Sequence, residues 1–350
     1  MVALRLRYRL LNLHYEGAWT DSWRMEFIAP GRSYDGRMFT RVLRFPDRSV
    51  GDLLDERFPE WPRIADAQGD VTISGRQKIV LRLTEPPSQC QLLKRLQVDS
   101  LYGVRLAFGS VGRADLSSLF ALKGLRHIDL SDSGVSDDAF LGFVTNFPRL
   151  RAIDFGGTSI SDLAFRDMPR LQSMLMLRSL GRGASVSNSG AMNVGTKMPR
   201  LVTLDFSRTD IGDEGVRGIT HLPLRFLNIL GTRITDAGLA SLANMPSLRK
   251  LVLSFTKISD AALYFLQTMS RLTLLMLDGT LITDEGLSYV TKLPRLSVLY
   301  LNGTQITDKA TKWLSRMTQL RVLSLGQQLG PDSLEWLRKA LPKCRISAIG

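Results

Sequence analysis

The chain has 350 residues, of which 44% are apolar and 23% are charged, and this composition excludes an intrinsically disordered protein. Its 46 Lys and Arg against 33 Asp and Glu give a net charge of +13, which favours anionic partners but does not indicate a fold. Cys90 and Cys344 are too few for a disulfide scaffold, and the histidines show no metal-binding spacing. The sequence shows no signal peptide and no apolar run near the ~18 residues of a membrane helix, so we expect a cytoplasmic protein without a cofactor.

Residues 1–75 do not follow the pattern of the rest of the chain. Residues 4–10 alternate apolar residues with Arg, as an amphipathic strand does, and residues 23–45 look like two strands around a Gly-rich turn. The segment SVGDLLDERF at residues 49–58 looks like a short helix. Because a stack of repeats needs a cap over its first exposed core, we predict an α+β cap here; a small separate domain is the alternative.

From residue 76 to residue 350 one pattern returns about ten times. The segments LRKLVLSFTKISDAAL, LTLLMLDGTLITDEGL and LSVLYLNGTQITDKAT begin at Leu248, Leu272 and Leu296, which gives a period of 24 residues. Their consensus is L-x-x-L-x-L-x-x-T-x-I-[ST]-D-x-G-L. Residues 330–350 look like the closing segment of the array. Related segments begin at Leu101, Leu125, Leu150, Leu201, Leu224 and Leu320.

Each repeat predicts one strand and one short helix. The L-x-x-L-x-L segment alternates like a strand with one buried face, and D-x-G-L-x-x-L-x-x-L spaces its apolar residues like a helix. A proline often follows the helix, where it stops continuation. Stacked strands would form a parallel sheet whose connections cross over through the helices.

These segments resemble the leucine-rich-repeat family, specifically its bacterial type with a T-x-I-T-D-x-G-L core. The resemblance implies a right-handed α/β solenoid, or horseshoe, with a parallel sheet on the concave side and short helices on the convex side. It also implies a binding function rather than catalysis.

Two polar residues recur at fixed repeat positions. We expect the recurring threonine to satisfy backbone groups in the turn that leaves the strand, and the recurring aspartate, with the Ser or Thr before it, to begin the helix. The alternatives, a threonine nucleophile and a calcium-binding row, lack a recurring base and enough oxygen ligands. The threonines are Thr158, Thr209, Thr232, Thr256, Thr280 and Thr304; the aspartates are Asp137, Asp162, Asp213, Asp236, Asp260, Asp284 and Asp308.

The pattern also predicts which side chains face a ligand on the concave side. The N-terminal half of this face is acidic and polar, with Asp129, Asp154 and Asp205, and we expect Arg105, Arg126 and Arg151 to neutralise the first two. The C-terminal half is apolar and, if exposed, indicates a site for a protein or peptide; the alternative is burial under a neighbouring element or the N-terminal region. Its residues are Phe226, Val252, Phe255, Leu274, Met276, Val298 and Tyr300.

One repeat is longer than the others, because Leu171 and Leu201 are 30 residues apart. The extra residues form a predicted loop at 178–185. This loop is either a tolerated insertion or a clamp whose Arg178 and Arg182 contact an anion.

Most of the positive charge lies in the repeats, and arginines flank the first leucine of many of them. They form a predicted basic edge that either complements helix C-termini or binds an anionic partner. The arginines are Arg126, Arg149, Arg151, Arg170, Arg200, Arg225, Arg249, Arg271, Arg295 and Arg321.

The sequence therefore favours a noncatalytic, monomeric scaffold that binds a protein or peptide on its concave face, without nucleic acid. The alternatives are a regulator that acts on a partner enzyme in trans, through the 178–185 loop, and an anionic-surface binder that uses the basic edge.

Overall fold

The computed structural model describes residues 40–44, 51–55, 63–68, 70–74, 78–83, 96, 101–106, 111–179 and 184–348. The predicted strand at residues 4–10, the first of the two strands expected within residues 23–45, and Cys90 and Arg182 lie outside these residues. The strands are β1 Thr40–Arg44, β2 Gly51–Asp55, β3 Arg63–Asp66, β4 Asp70–Ser74, β5 Ile79–Leu83, β6 Gly103–Leu106, β7 His127–Asp129, β8 Ala152–Asp154, β9 Met176–Arg178, β10 Thr203–Asp205, β11 Phe226–Asn228, β12 Lys250–Val252, β13 Leu274–Met276, β14 Val298–Tyr300, β15 Val322–Leu325 and β16 Arg345–Ala348.

Short helices alternate with the strands from β6 onward. They are α1 Arg113–Ser117, α2 Asp137–Asn146, α3 Asp162–Asp167, α4 Asn188–Lys197, α5 Asp213–Arg217, α6 Asp236–Leu242, α7 Asp260–Leu266, α8 Leu287–Val290, a 3₁₀ turn at Asp308–Ala310, α9 Thr311–Leu314 and α10 Pro331–Ala340.

Within the described residues the strands form one open, mostly parallel sheet of 14 strands and a separate antiparallel pair, β1 with β4. From β5 to β16 each strand pairs in parallel with the next one along the chain. Antiparallel β2 and β3 extend the sheet beyond β5. The alternation of strand and helix confirms the repeat organisation that the 24-residue period predicts.

The main core lies between the sheet and the helices. The middle residue of each three-residue strand, such as Leu204 or Leu251, is fully buried and packs with the apolar residues of the helices. One repeat cannot bury this surface alone, so the array is stabilised by stacking of neighbours.

The predicted helix at residues 49–58 is wrong, because residues 51–55 form strand β2. Its Leu53 pairs with Leu81 of β5 and is fully buried in the main core. This pairing across the sheet overrides the local helical pattern of the segment. The division of the chain at residue 75 stays a prediction.

The threonine row is confirmed as structural. Each of its hydroxyls donates to the backbone carbonyl three residues earlier, as Thr209 does to Phe206 at 2.7 Å and Thr304 to Leu301 at 2.7 Å. The same bond forms at Thr158, Thr232, Thr256 and Thr280.

Most of the aspartate row begins helices, as predicted, and the row also joins repeats to their neighbours. The exceptions are Asp308, which begins the 3₁₀ turn, and Asp284, which lies three residues before α8. Asp213 accepts hydrogen bonds from the backbone nitrogen of Thr235 at 2.8 Å and from its hydroxyl at 2.6 Å. We call this arrangement the aspartate clasp. The same clasp joins Asp137 to Ser161, Asp162 to Ser187, Asp236 to Ser259, Asp260 to Thr283 and Asp284 to Thr307.

Candidate functional site

The sheet has one face against the described helices and one face away from them, which we call the helix-free face. It corresponds to the predicted concave face and presents the first and third residues of each three-residue strand. The strand register places Asp205, Asn228, Val252, Met276 and Tyr300 side by side. The rows predicted from the sequence are therefore real neighbours.

The apolar half of this face is not exposed as expected. Phe226 is 3% exposed and Met276 is 2% exposed, and Val252 and Leu274 are equally buried. With Leu230 they form an apolar cluster that is separate from the main core, and Val298 and Tyr300 pack against it half-buried. We call these seven residues the second cluster. The expectation of an open apolar patch is thus wrong for its four central side chains, which pack against each other and are buried.

Phe255 follows Val252 of this cluster by three residues along the chain and is accessible. Its side chain is 38% exposed, and its backbone is left-handed with φ of 58°. The ring lies close over the next repeat, since a Cβ on Gly279 would be 2.5 Å from it.

Left-handed backbone recurs at this repeat position, which is the turn after each strand. Glycine, which adopts positive φ without steric cost, occupies it at Gly231, Gly279 and Gly303. Phe255 adopts the same conformation with a full side chain, at a cost of roughly 1–2 kcal/mol.

The polar half of the helix-free face is a buried charge network. Arg178 donates two hydrogen bonds to Asp154, and His127 Nε2 lies 2.8 Å from Asp154 Oδ2. Arg105 Nε lies 3.1 Å from Asp129 Oδ2, as predicted. Asp154 is thus held by an ion pair with Arg178 and by a hydrogen bond with His127.

Arg126 donates to the carbonyl of Gly124, and Arg151 is exposed. The neutralising role expected of both arginines stays a prediction.

Burial and charge act in opposite directions on these carboxyl groups. Burial alone would raise the pKa of Asp154, but the guanidinium of Arg178 and the hydrogen bond from His127 together hold it well below its usual value. Burial raises the pKa of Asp205 to about 6, although Ser207 and Asn228 donate hydrogen bonds to it. Burial and the nearby Asp154 raise the pKa of Asp129. This half of the face therefore holds its carboxylates internally paired.

The predicted loop at 178–185 begins one residue later than expected, because Arg178 is the last residue of β9. Its side chain is only 13% exposed and is bound to Asp154. Ser179 follows, buried, with its nitrogen donating to Asp205 O at 2.9 Å. Contact of Arg178 with an external anion stays a prediction, and Arg182 lies outside the described residues.

The basic edge lies where the helices end and the strands begin. All its arginines except the half-buried Arg126 are exposed. Between β12 and β14, Arg249, Arg271 and Arg295 line one groove of about 670 Å³ together with Ser270, Thr273 and Pro294.

In the described part of the chain, no group of three or more His, Cys, Asp or Glu side chains could hold a metal ion. None of the described helices is long and apolar enough to cross a membrane.

An open parallel sheet that alternates with short helices at a 24-residue period defines the α/β repeat solenoids. The profile of the family described as Leucine Rich repeat matches residues 198–219. With the repeats seen along the sheet, this match supports a leucine-rich-repeat fold.

One solved structure with a TM-score above 0.5 supports this fold, and a second falls just below that score. An internalin from Listeria monocytogenes is 18% identical, with a TM-score of 0.54 over 77% of this chain and 85% of that chain. Rad7, in its complex with Elc1 from yeast, is 16% identical, with a TM-score of 0.49 over 76% of this chain and 79% of that chain. No curated protein sequence matches the chain.

Proposed function

We propose that this leucine-rich-repeat protein is a noncatalytic scaffold that binds a protein or peptide on the helix-free face of its C-terminal repeats. The observation that supports this most is Phe255, an exposed aromatic ring on left-handed backbone beside the second cluster. The contact surface would comprise Phe255 with the half-buried Val298 and Tyr300, next to the buried Phe226, Val252, Leu274 and Met276.

The left-handed backbone at Phe255 lowers the stability of the fold, and its side chain is not part of the main core. Gly231, Gly279 and Gly303 make the same turn without steric cost, so the turn itself does not require a phenylalanine. Strained backbone that persists is concentrated at functional sites, and exposed aromatic side chains are frequent anchors of protein interfaces. Both facts favour a contact role for Phe255.

The second cluster sets the order of contacts. Phe226 and Met276 are buried in the single chain, so a partner reaches them only if the second cluster opens. Such a requirement lowers the apparent affinity by the fraction of molecules that are open. Phe255 and Tyr300 therefore make the first contact, and the buried members follow.

Two features support a noncatalytic role. The recurring threonine hydroxyls donate to backbone carbonyls, as at Thr209 and Thr304, which leaves them poorly placed as nucleophiles. Cys344 is a free thiol whose pKa is raised by burial to about 11, so it stays protonated at neutral pH. The free thiol also fits the reducing, cytoplasmic setting that we propose.

Affinity capture followed by mass spectrometry tests this function. The baits are the full chain, Phe255→Asp and Tyr300→Asp, with Trp336→Asp as the control on helix α10, where the indole is 48% exposed. Asp suits position 255, since Asp132 holds the equivalent turn with φ of 57°. We expect a protein that the wild type and Trp336→Asp retain and both other variants lose. If every retained protein binds all four baits equally, the proposed face is wrong.

A further inference from the structure

The groove at the basic edge concentrates positive charge in one place. Arg249, Arg271 and Arg295 line it from three successive repeats, and all three side chains are exposed. The backbone nitrogen of Thr273 donates a hydrogen bond to the carbonyl of Arg249 at 2.7 Å, and the Thr273 hydroxyl donates a second at 3.0 Å. These bonds hold together the two chain segments that line the groove just before β12 and β13.

Within the described residues, no carboxylate forms an ion pair with any of these three arginines. The ion pairs found there join other residues, such as Arg233 with Asp210 and Lys339 with Glu335. Three like charges on adjacent repeats repel one another, and a bound anion would relieve that repulsion.

The helix C-termini above the groove do not supply enough negative charge. Helices α6, α7 and α8 have seven, seven and four residues. A full helix presents about half a negative charge at its C-terminus. Even at full strength the three ends would offset about half of the three positive charges, so the groove keeps a positive surplus.

We propose that this groove binds a small organic phosphate that carries two or more negative charges. The guanidinium group donates paired hydrogen bonds that match a phosphate, and the Ser270 hydroxyl at the groove adds a donor. The groove, at about 670 Å³, is large enough for a small ligand.

Isothermal titration calorimetry with pyrophosphate on the full chain tests this site. Arg271→Gln and Arg295→Gln should each weaken binding at least tenfold. Arg170→Gln is the matched control, since Arg170 is exposed and also precedes the first leucine of its repeat, but it lies outside the groove. It should change the affinity less than twofold. Circular dichroism must show wild-type melting for all three variants, and a variant that fails this check is replaced by its lysine counterpart, with a smaller loss expected.

Three results would overturn the proposal. Equal weakening by Arg170→Gln would show a diffuse electrostatic effect of the whole edge. Citrate binding as tightly as pyrophosphate would show that the site does not select phosphate. Absence of measurable pyrophosphate binding at millimolar concentration and low salt would show that there is no site. None of these results bears on partner capture through Phe255.

Discussion

The carboxylate of Asp236 accepts two hydrogen bonds from Ser259 in the following repeat, one from its backbone nitrogen at 2.8 Å and one from its hydroxyl. Ser259 is the N-cap of helix α7, so Asp236 satisfies one of the backbone donors that a helix start leaves unpaired. The aspartate clasp thereby fixes the helix of one repeat to the helix of the next.

Removal of one clasp should destabilise the array measurably. Asp236→Ala leaves two donors of Ser259 without their acceptor, and we expect a loss of about 2 kcal/mol in the free energy of unfolding. Asp236→Asn keeps one acceptor and should lose less. Chemical denaturation monitored by circular dichroism measures both. Asp210→Ala, which breaks an exposed ion pair with Arg233, should change stability little and serves as the control. Equal effects of Asp236→Ala and Asp210→Ala would contradict the clasp.

Arg178 should behave as a buried partner of Asp154. Arg178→Ala leaves the carboxylate of Asp154 buried without its main counter-charge, and such losses cost about 3–5 kcal/mol. The double variant Arg178→Leu with Asp154→Leu should cost less than the single change, because no uncompensated charge remains. Thermal and chemical unfolding measure the difference. If Arg178→Ala loses as little stability as the exposed control Arg170→Ala, Arg178 instead belongs to the inserted loop.

Asp205 should make stability depend on pH. Its pKa is about 6 in the fold, against an ordinary value of 3.8. Between these values the folded chain holds a proton that the unfolded chain has lost, so the free energy of unfolding falls as the pH rises from about 4 to 6. Above pH 6 the full penalty, about 3 kcal/mol, is present.

Asp205→Asn removes this titration. We expect the variant to gain stability relative to the wild type as the pH rises from 4 to 7.5, in urea unfolding measured at each pH. If the wild type and the variant differ in their free energy of unfolding by the same amount at pH 4 and at pH 7.5, Asp205 does not titrate in this range.

Phe255→Gly should separate stability from binding. Glycine relieves the left-handed strain, worth roughly 1–2 kcal/mol, but it loses the contact of the ring with Gly279 and gains freedom in the unfolded chain. We therefore expect a melting temperature within a few degrees of the wild type. Differential scanning calorimetry measures it, and Arg208→Gly, at the same left-handed repeat position, is the control. A large loss for Phe255→Gly alone would mean that Phe255 is a packing residue.

The repetitive part of the fold was predictable because its signal is repeated. The strand and helix of each unit follow from leucine spacing, and the role of Thr209 follows from its place after the strand. The sequence does not show the link from Asp236 to Ser259, because a contact across 23 residues leaves no mark within one repeat. A sign was present, since Asp recurs together with Ser or Thr one position earlier.

Other features could not be read from local pattern. Residues 51–55 form a strand because β5 pairs with them, which their own sequence does not show. The sequence places Arg178 in a loop, because the longer repeat hides its alignment with Asp154 and Asp205. The alternation of strand residues predicts that the side chain of Met276 points away from the main core. It does not show whether that side chain is exposed or is buried in a second cluster.

The most direct test of the proposed contact face is the affinity of a captured partner for three proteins of matched stability: the wild type, Phe255→Gly and Arg208→Gly. Calorimetry at 50 and 300 mM salt should show at least tenfold weaker binding for Phe255→Gly alone, with little dependence on salt, because the contact is apolar. Equal affinity of all three proteins, or a steep loss of affinity with salt, would contradict binding through Phe255 and the second cluster.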